Sequence, residues 1–312
     1  MARANLPAKK FKKSNPTQIR LSFEANGETT QFIDIAMALS AINRKFYRQG
    51  VYYYVNSVEV YNDETGVVDL HTLPDTWVTK NAWSRGFQLY QKMNSMTDTP
   101  VSNISRPKYH DFKVYMSTRH RTTGTLLPSM HNINNTSSTI SVDEWQHSKF
   151  VSADDDGDEN QEADDFFVHM IGIHDGDPDN WESVGLIKSY AESRVTVLPS
   201  TDENATNVDV TDPLINVFDM SSEEQMNDII ENLVTANDEP PYDFNSYVGE
   251  GNQFQHVARL GTEQGVGRVA RASGFCAPLG LIMVDPFGIR TSYRVVINLA
   301  PGTYHGVYAE RV

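Results

Sequence analysis

The sequence predicts an antiparallel β-sandwich or jelly roll with one or two helices inserted in its loops. Short apolar–polar alternations recur along the 312 residues, separated by Gly, Pro, Asn and Asp. Regular β-α-β alternation is missing, which argues against a parallel Rossmann-like sheet. Hydrophobic residues make up 39% of the chain and aromatics 10%, lean for an enzyme interior but suited to strands that each expose one face.

In chain order, TQIRLSFEA alternates with period two. Ile19, Leu21 and Phe23 lie on one side, Gln18, Arg20, Ser22 and Glu24 on the other. TTQFIDIAMALSAINRKFY begins as a strand and turns helical near Ala38. GVYYYVNSVEV and GVVDLHTL flank Asn-Asp-Glu-Thr-Gly, a hairpin signal. DTWVTKNAWSRGFQLYQKMNSM places Trp77, Trp83, Phe87, Leu89 and Tyr90 at helical spacing, with Asp75 as the expected N-cap. HDFKVYMS reads as a strand, and Thr118 to Phe150 as a long polar loop.

DFFVHMIGIH then predicts a strand and SVGLIKSYAESRVTVL one or two more. DPLINVFD is short and apolar. SSEEQMNDIIENLVTAND carries the best helical pattern, with Ser221 or Ser222 capping and Met226, Ile229, Ile230 and Leu233 as its stripe. FQHVARL, FCAPLGLIMVD and SYRVVINLAPGTYHGVYAE complete the strands. The organisation expected is a basic arm over residues 1–16 and one domain over residues 17–312.

Charge is segregated. Net charge is −15, yet Arg3, Lys9, Lys10, Lys12 and Lys13, with Arg20 beyond, precede the first acid at Glu24. Residues 151–165 carry eight acids and no base, and no Lys or Arg lies between Arg194 and Arg259. Such a body repels nucleic acid, so a compact basic end points to a local polyanion contact. Arg3, Lys9, Lys10, Lys12, Lys13 and Arg20 are the candidate phosphate ligands, with Phe11 as a base-stacking residue. Further basic places are STRHRT and GVGRVARASG.

Catalytic signatures are missing. GVGRVA lacks the third glycine of a dinucleotide fingerprint, and neither a Walker loop nor a GxSxG elbow occurs. His169 and His174 read as core histidines. Asp175, Asp177 and Asp179 alternate in IHDGDPDNW and are weak candidates for Ca²⁺ at a subunit contact; an EF-hand alignment of the acidic loop fails. The lone Cys276 excludes an intramolecular disulfide and reads as a buried thiol. Asn103, Asn134, Asn135 and Asn204 lie in glycosylation sequons, but no apolar stretch follows the N-terminal charges, so export by a signal peptide is not expected. No apolar run reaches the roughly 20 residues of a membrane span.

DDFFVHMIGIHDGDPDNWESVGLIKSYAESRVTV, DPLINVFD, EQMNDIIENLVTANDEPPYD and INLAPGTYHGVYAERV occur in one order. Over residues 105–312 the chain resembles the capsid proteins of small circular Rep-encoding single-stranded DNA viruses from environmental and aquatic samples. The resemblance implies a single jelly-roll domain and no enzymatic activity. It also implies self-assembly into a small icosahedral shell of about 60 identical subunits around a circular single-stranded DNA genome. The arm would face that genome, although it is shorter than the Arg-rich arms of such proteins. The place implied is the virion, made in a host cell with the nucleus as an expected site of assembly, and a host surface receptor as a further partner. The competing expectation is a β-sandwich carbohydrate-binding module or hydrolase, marked by exposed Trp on a concave face or by two carboxylates across a cleft.

Overall fold

A computed structural model describes residues 16–95, 111–131, 137–141, 145–151, 165–177, 180–195, 247–263, 265 and 267–312. The first elements are β1 (Arg20–Asn26), β2 (Gln31–Asp34), α1 (Ile35–Asn43), β3 (Val51–Tyr61) and β4 (Gly66–Thr72). Next come α2 (Trp77–Ser95), β5 (Tyr115–Ser117), α3 (Thr118–Thr123), β6 (Ser129–His131), β7 (Ser137–Thr139) and β8 (Lys149–Val151). They are followed by β9 (Asp165–Ile171), β10 (Asp175–Asp177), β11 (Asn180–Gly185) and α4 (Leu186–Val195). The last group is β12 (Gln255–Thr262), β13 (Val269–Ala272), β14 (Phe275–Ala277), β15 (Leu281–Phe287), β16 (Ser292–Leu299), β17 (Pro301–Tyr304) and β18 (Ala309–Arg311). Among the described residues, no helix is long and apolar enough to cross a membrane.

Two antiparallel sheets pack face to face as a sandwich. One has the order β1-β16-β3-β13, with β14 and β18 also pairing with β3; the other has the order β12-β4-β15-β2. Period two in the sequence becomes one buried row per strand. Leu21 lies opposite Ile297 and Phe23 opposite Val295 in the first sheet. With Val58 and Val60 they meet Ile33, Val68, Leu70, Ile282 and Val284 of the second sheet in one buried cluster. Burying such side chains is worth about 1.5–3 kcal/mol each, which is what holds the sheets together.

Taken in chain order, the eight strands of the two four-stranded paths pair first with last, second with seventh, third with sixth and fourth with fifth. The pairs are β1–β16, β2–β15, β3–β13 and β4–β12. This nesting corrects the expected hairpin at Asn62–Gly66, since β3 and β4 belong to different sheets. The Asn-Asp-Glu-Thr-Gly turn is real but carries the chain across the sandwich. Asn62 Nδ2 donates to the Glu64 carbonyl and to Thr262 Oγ1, both at 2.9 Å, and Glu64 takes the Arg290 N–H at 2.7 Å. Those bonds tie the turn to the facing sheet's loops.

The second sheet is buried on both faces. Ile282 and Val284 face the sandwich, while Leu281 and Met283 join a second cluster with Phe32. Val78, Ala82 and Trp83 of α2, Leu186, Ile187 and Ala191 of α4, and Val168 and Met170 of β9 complete that cluster. The continuous apolar run LIMV is the expected signature of a strand covered on both sides. All of the covering layer comes from residues between β4 and β12.

Three more expectations change here. LIKSYAESRV is α4, not strand: Leu186, Ile187 and Ala191 form its buried stripe, and Lys188 pairs with Glu192 at 3.6 Å and Glu250 at 2.6 Å. The segment Thr118–Phe150 is not one loop but holds α3, β6, β7 and β8. Helix α2 is capped by Thr76, whose Oγ1 accepts from the Thr79 N–H at 3.2 Å, while Asp75 pairs with Lys80 at 3.4 Å. The helix expected over 221–238 and the segment DPLINVFD lie outside the described residues.

One buried carboxyl stands where the layers meet. Asp34 Oδ1 caps α1 by accepting the Met37 N–H at 3.1 Å, and Gln49 Nε2 donates to Oδ2 at 3.1 Å. Loss of water around it pushes the Asp34 pKa up to about 7.

Candidate nucleic-acid interface

Of the basic residues singled out by the sequence, Arg3, Lys9, Lys10, Lys12 and Lys13, together with Phe11, lie outside the described residues. Arg20 is described. It opens β1 on the outer face of the first sheet, where its guanidinium donates to Glu59 Oε2 at 3.1 Å. Tyr61 Oη also donates to Glu59 at 2.9 Å, and Arg271 lies 3.8 Å from the same carboxylate. Arg294 pairs with Glu24 at 3.2 Å and Arg268 with Asp63 at 3.4 Å. The strand register explains the lattice: Ser22, Val296, Glu59 and Arg271 form one cross-strand row, and Glu24, Arg294, Tyr61 and Val269 the next. Arg20, Arg268 and Arg294, with Glu24, Asp63 and Tyr61, border an open depression of about 970 Å³. With Arg271 and Glu59, four arginines on this face meet three acids, so the surface is largely compensated.

In the second basic place, STRHRT, His120 and Arg121 are engaged internally while Arg119 is exposed. Arg121 donates to Asp175 Oδ2 at 2.8 Å and also to Glu182. The guanidinium thus occupies the carboxylate that the sequence offered to Ca²⁺. Asp177 is described through its backbone pairing alone, and Asp179 lies outside the described residues. Among the described residues, no group of three or more His, Cys, Asp and Glu is disposed to hold a metal ion.

The histidines are structural by their hydrogen bonds. His169 is buried, its Nε2 lying 3.0 Å from the Ile173 carbonyl and its Nδ1 2.7 Å from Ser183 Oγ. A carbonyl only accepts, so Nε2 carries the proton and Nδ1 accepts from the serine. His120 accepts the Met116 N–H at Nδ1, which leaves its Nε2–H for Thr125 Oγ1 at 2.8 Å. His174 likewise accepts the Gly185 N–H and turns Nε2 to Glu192 at 3.0 Å. Burial lowers the pKa of His169 and of His147 to about 4 and pushes His120 well down.

The remaining candidates are similarly engaged. Cys276 is half-buried, and burial pushes its thiol up to about 11, away from thiolate reactivity. Trp83 stacks on Phe87, Trp77 packs edge-on against Tyr247, Trp145 lies under the Lys113 ammonium, and Trp181 meets His174. These tryptophans sit against separate partners instead of forming one sugar-stacking row.

The chain enters the sandwich through a defined anchor. Lys45 Nζ donates to the Pro16 carbonyl at 2.8 Å, and Thr17 Oγ1 donates to the His305 carbonyl at 2.6 Å. The Gln18 N–H donates to Asn43 Oδ1 at 2.7 Å, and Asn43 Nδ2 returns a bond to the Gln18 carbonyl at 3.1 Å. The end of the basic arm is therefore tied to the segment NRKFYR, residues 43–48. Sequence reasoning passed over Arg44, Lys45 and Arg48, although their basic–aromatic–basic order repeats that of KKFKK in the arm. No protein-family model matches the chain, and no curated protein or solved structure matches it.

Proposed function

We propose that this protein is a capsid subunit. Its sandwich is read as a viral-type jelly roll, its surfaces as the contacts of a closed icosahedral shell, and its basic arm as the part that meets a circular single-stranded DNA genome. The observation that carries the reading is the nested pairing of eight strands along two four-stranded antiparallel paths, one of them within a six-stranded sheet. This nesting supports the jelly-roll reading, since a jelly roll is an eight-stranded, two-sheet fold of two Greek keys, used by capsid proteins and also by lectins and cupins. Fold alone does not select among those uses.

Charge and insertions favour the shell. A segregated basic arm enters an acidic body beside a second basic segment, as a genome-facing end requires. The long excursion between β4 and β12 supplies lateral surface for contacts between identical copies, which close a shell when repeated about rotation axes. The ordered likeness over residues 105–312 to coat proteins of small circular DNA viruses supports the same assignment.

Expression of the chain alone, followed by size-exclusion chromatography and negative-stain microscopy, tests it. Uniform small particles eluting in the void volume are expected. A monodisperse monomer or dimer across salt and pH, with no particles, would overturn the capsid assignment.

A further inference from the structure

We infer that Arg44, Lys45, Phe46, Arg48 and Arg311 form a second single-strand-binding surface, beside Pro16. The ligand class rests on the capsid reading; the surface itself rests on geometry. Arg44, Phe46 and Arg48 are exposed, whereas Tyr47 and Gln49 between and after them are buried. Tyr47 pins the segment: its hydroxyl donates to the His305 carbonyl at 3.0 Å, and its ring meets Tyr304 and His305 edge-on. Two more bonds fix Arg48, whose N–H donates to Tyr304 Oη at 3.0 Å and whose carbonyl accepts the Tyr53 hydroxyl at 2.7 Å. The segment, held from the buried side, therefore projects an aromatic ring flanked by cations outward.

Two of the positive-φ non-glycine residues among the described residues lie here, Arg44 at φ 50° and His305 at φ 48°. Arg44 is the left-handed C-cap that ends α1, and His305 lies in the turn after β17, so both sit at chain reversals that shape this surface. Phe46, Arg48, Tyr304, His305 and Arg311 border one depression of about 980 Å³.

The charge balance is positive. Among the described residues, no carboxylate comes within ion-pair distance of Arg44, Arg48 or Arg311, unlike Arg20, Arg121 and Arg294. Two acids border the same depression. Asp111 is matched by Lys113 at 3.2 Å, and Glu310 accepts the Tyr308 hydroxyl at 2.7 Å. Arg48 and Arg311 border the depression with these two acids, and Arg44 and Lys45, in the same segment as Arg48, bring the surface to four cations on a protein of net charge −15. Unpaired guanidinium groups beside an exposed ring suit phosphates threaded past a stacked base. Position adds to this: Lys45 holds the carbonyl of Pro16, which follows the basic cluster in sequence.

The experiment uses the full chain and a fluorescein-labelled oligothymidylate of about 16 nucleotides, read by anisotropy over a salt series. The Arg44→Ala/Arg48→Ala/Arg311→Ala variant should bind more weakly, with its salt slope reduced by about 2, at about 0.7 per single-strand phosphate contact. Phe46→Ala should lose about tenfold in affinity with the slope unchanged, and Phe46→Tyr should restore binding. Thermal melts confirm folding, and microscopy follows particle formation separately. Wild-type affinity and slope in the triple variant would overturn the surface and leave the shell standing. The expected slope change in a protein that never forms particles would do the reverse. A synthetic peptide of residues 151–165 is the control for an acidic segment from a second copy; a triple variant that loses the peptide but keeps the oligonucleotide overturns the nucleic-acid assignment.

Discussion

The Gln49 side chain pairs with the backbone of Val114 as a neighbouring strand would. Its Nε2 donates to the Val114 carbonyl at 3.0 Å, and its Oε1 accepts the Val114 N–H at 2.7 Å. The same amide nitrogen also lies 3.1 Å from the Asp34 carboxyl. One fully buried side chain therefore joins the sandwich, through β2 and α1, to the layer built by the β4–β12 excursion.

Gln49→Ala should cost about 2–4 kcal/mol of stability, because it orphans a buried N–H, a buried carbonyl and part of the Asp34 carboxyl. Urea denaturation of the purified protein reads this directly. A loss under about 0.5 kcal/mol would mean that water substitutes for the amide.

Asp34→Asn should flatten one limb of the pH–stability profile. The folded-state pKa, about 7, lies above the unfolded 3.8. Its stabilising contribution is therefore complete below about pH 4 and is lost as pH rises through about 7, by up to about 4 kcal/mol. Desolvation dominates, with repulsion from Asp111 adding and the Met37 N–H and Gln49 opposing. Asparagine caps a helix as well as aspartate does, but its Nδ2 cannot accept from Gln49 Nε2, so the variant should be less stable than the parent at pH 4 and differ from it least at pH 8. A parent profile without a decline from pH 4 to 7, once corrected for the histidines, would refute the assignment.

The buried histidines act with the opposite sign. His147 and His169 titrate at about 4 when folded and near 6.5 when unfolded, and burial also holds His120 well below its usual value. Their contribution is present above about pH 6.5 and lost as pH falls toward 4, by up to about 3 kcal/mol for His147 or His169. In an Asp34→Asn background, the denaturation midpoint should fall steadily from pH 7 to pH 4.5. A level midpoint over that range would show that these rings remain hydrated.

Gly185→Ala tests the junction of β11 and α4. A Cβ there would lie 2.3 Å from the Gly172 carbonyl oxygen and 3.2 Å from His169 Nε2. Backbone has to move to admit it, so a loss of about 2 kcal/mol or more is expected, within the upper range for overpacked sites. The melting temperature measures it, and an unchanged value would show that the loop carrying Gly172 yields freely.

The sequence by itself determined most strands of the two sandwich sheets and the segregation of charge. Period two marked Leu21 and Phe23 as buried because successive side chains point to opposite faces. It also separated a basic arm from an acidic body, since charge sums along the chain without reference to fold. Tertiary structure alone decided the partners. β3 and β4 carry a turn signal that a hairpin and a sheet-crossing connection share, and backbone pairing leaves no mark in side-chain identity. α4 read as strand because its apolar stripe is short, and contacts with β9 and α2 select the helix. The basic surface at residues 44–48 became visible only when folding carried Thr17 and His305, far apart along the chain, to 2.6 Å. Periodicity tells which face is buried; only long-range packing tells against what.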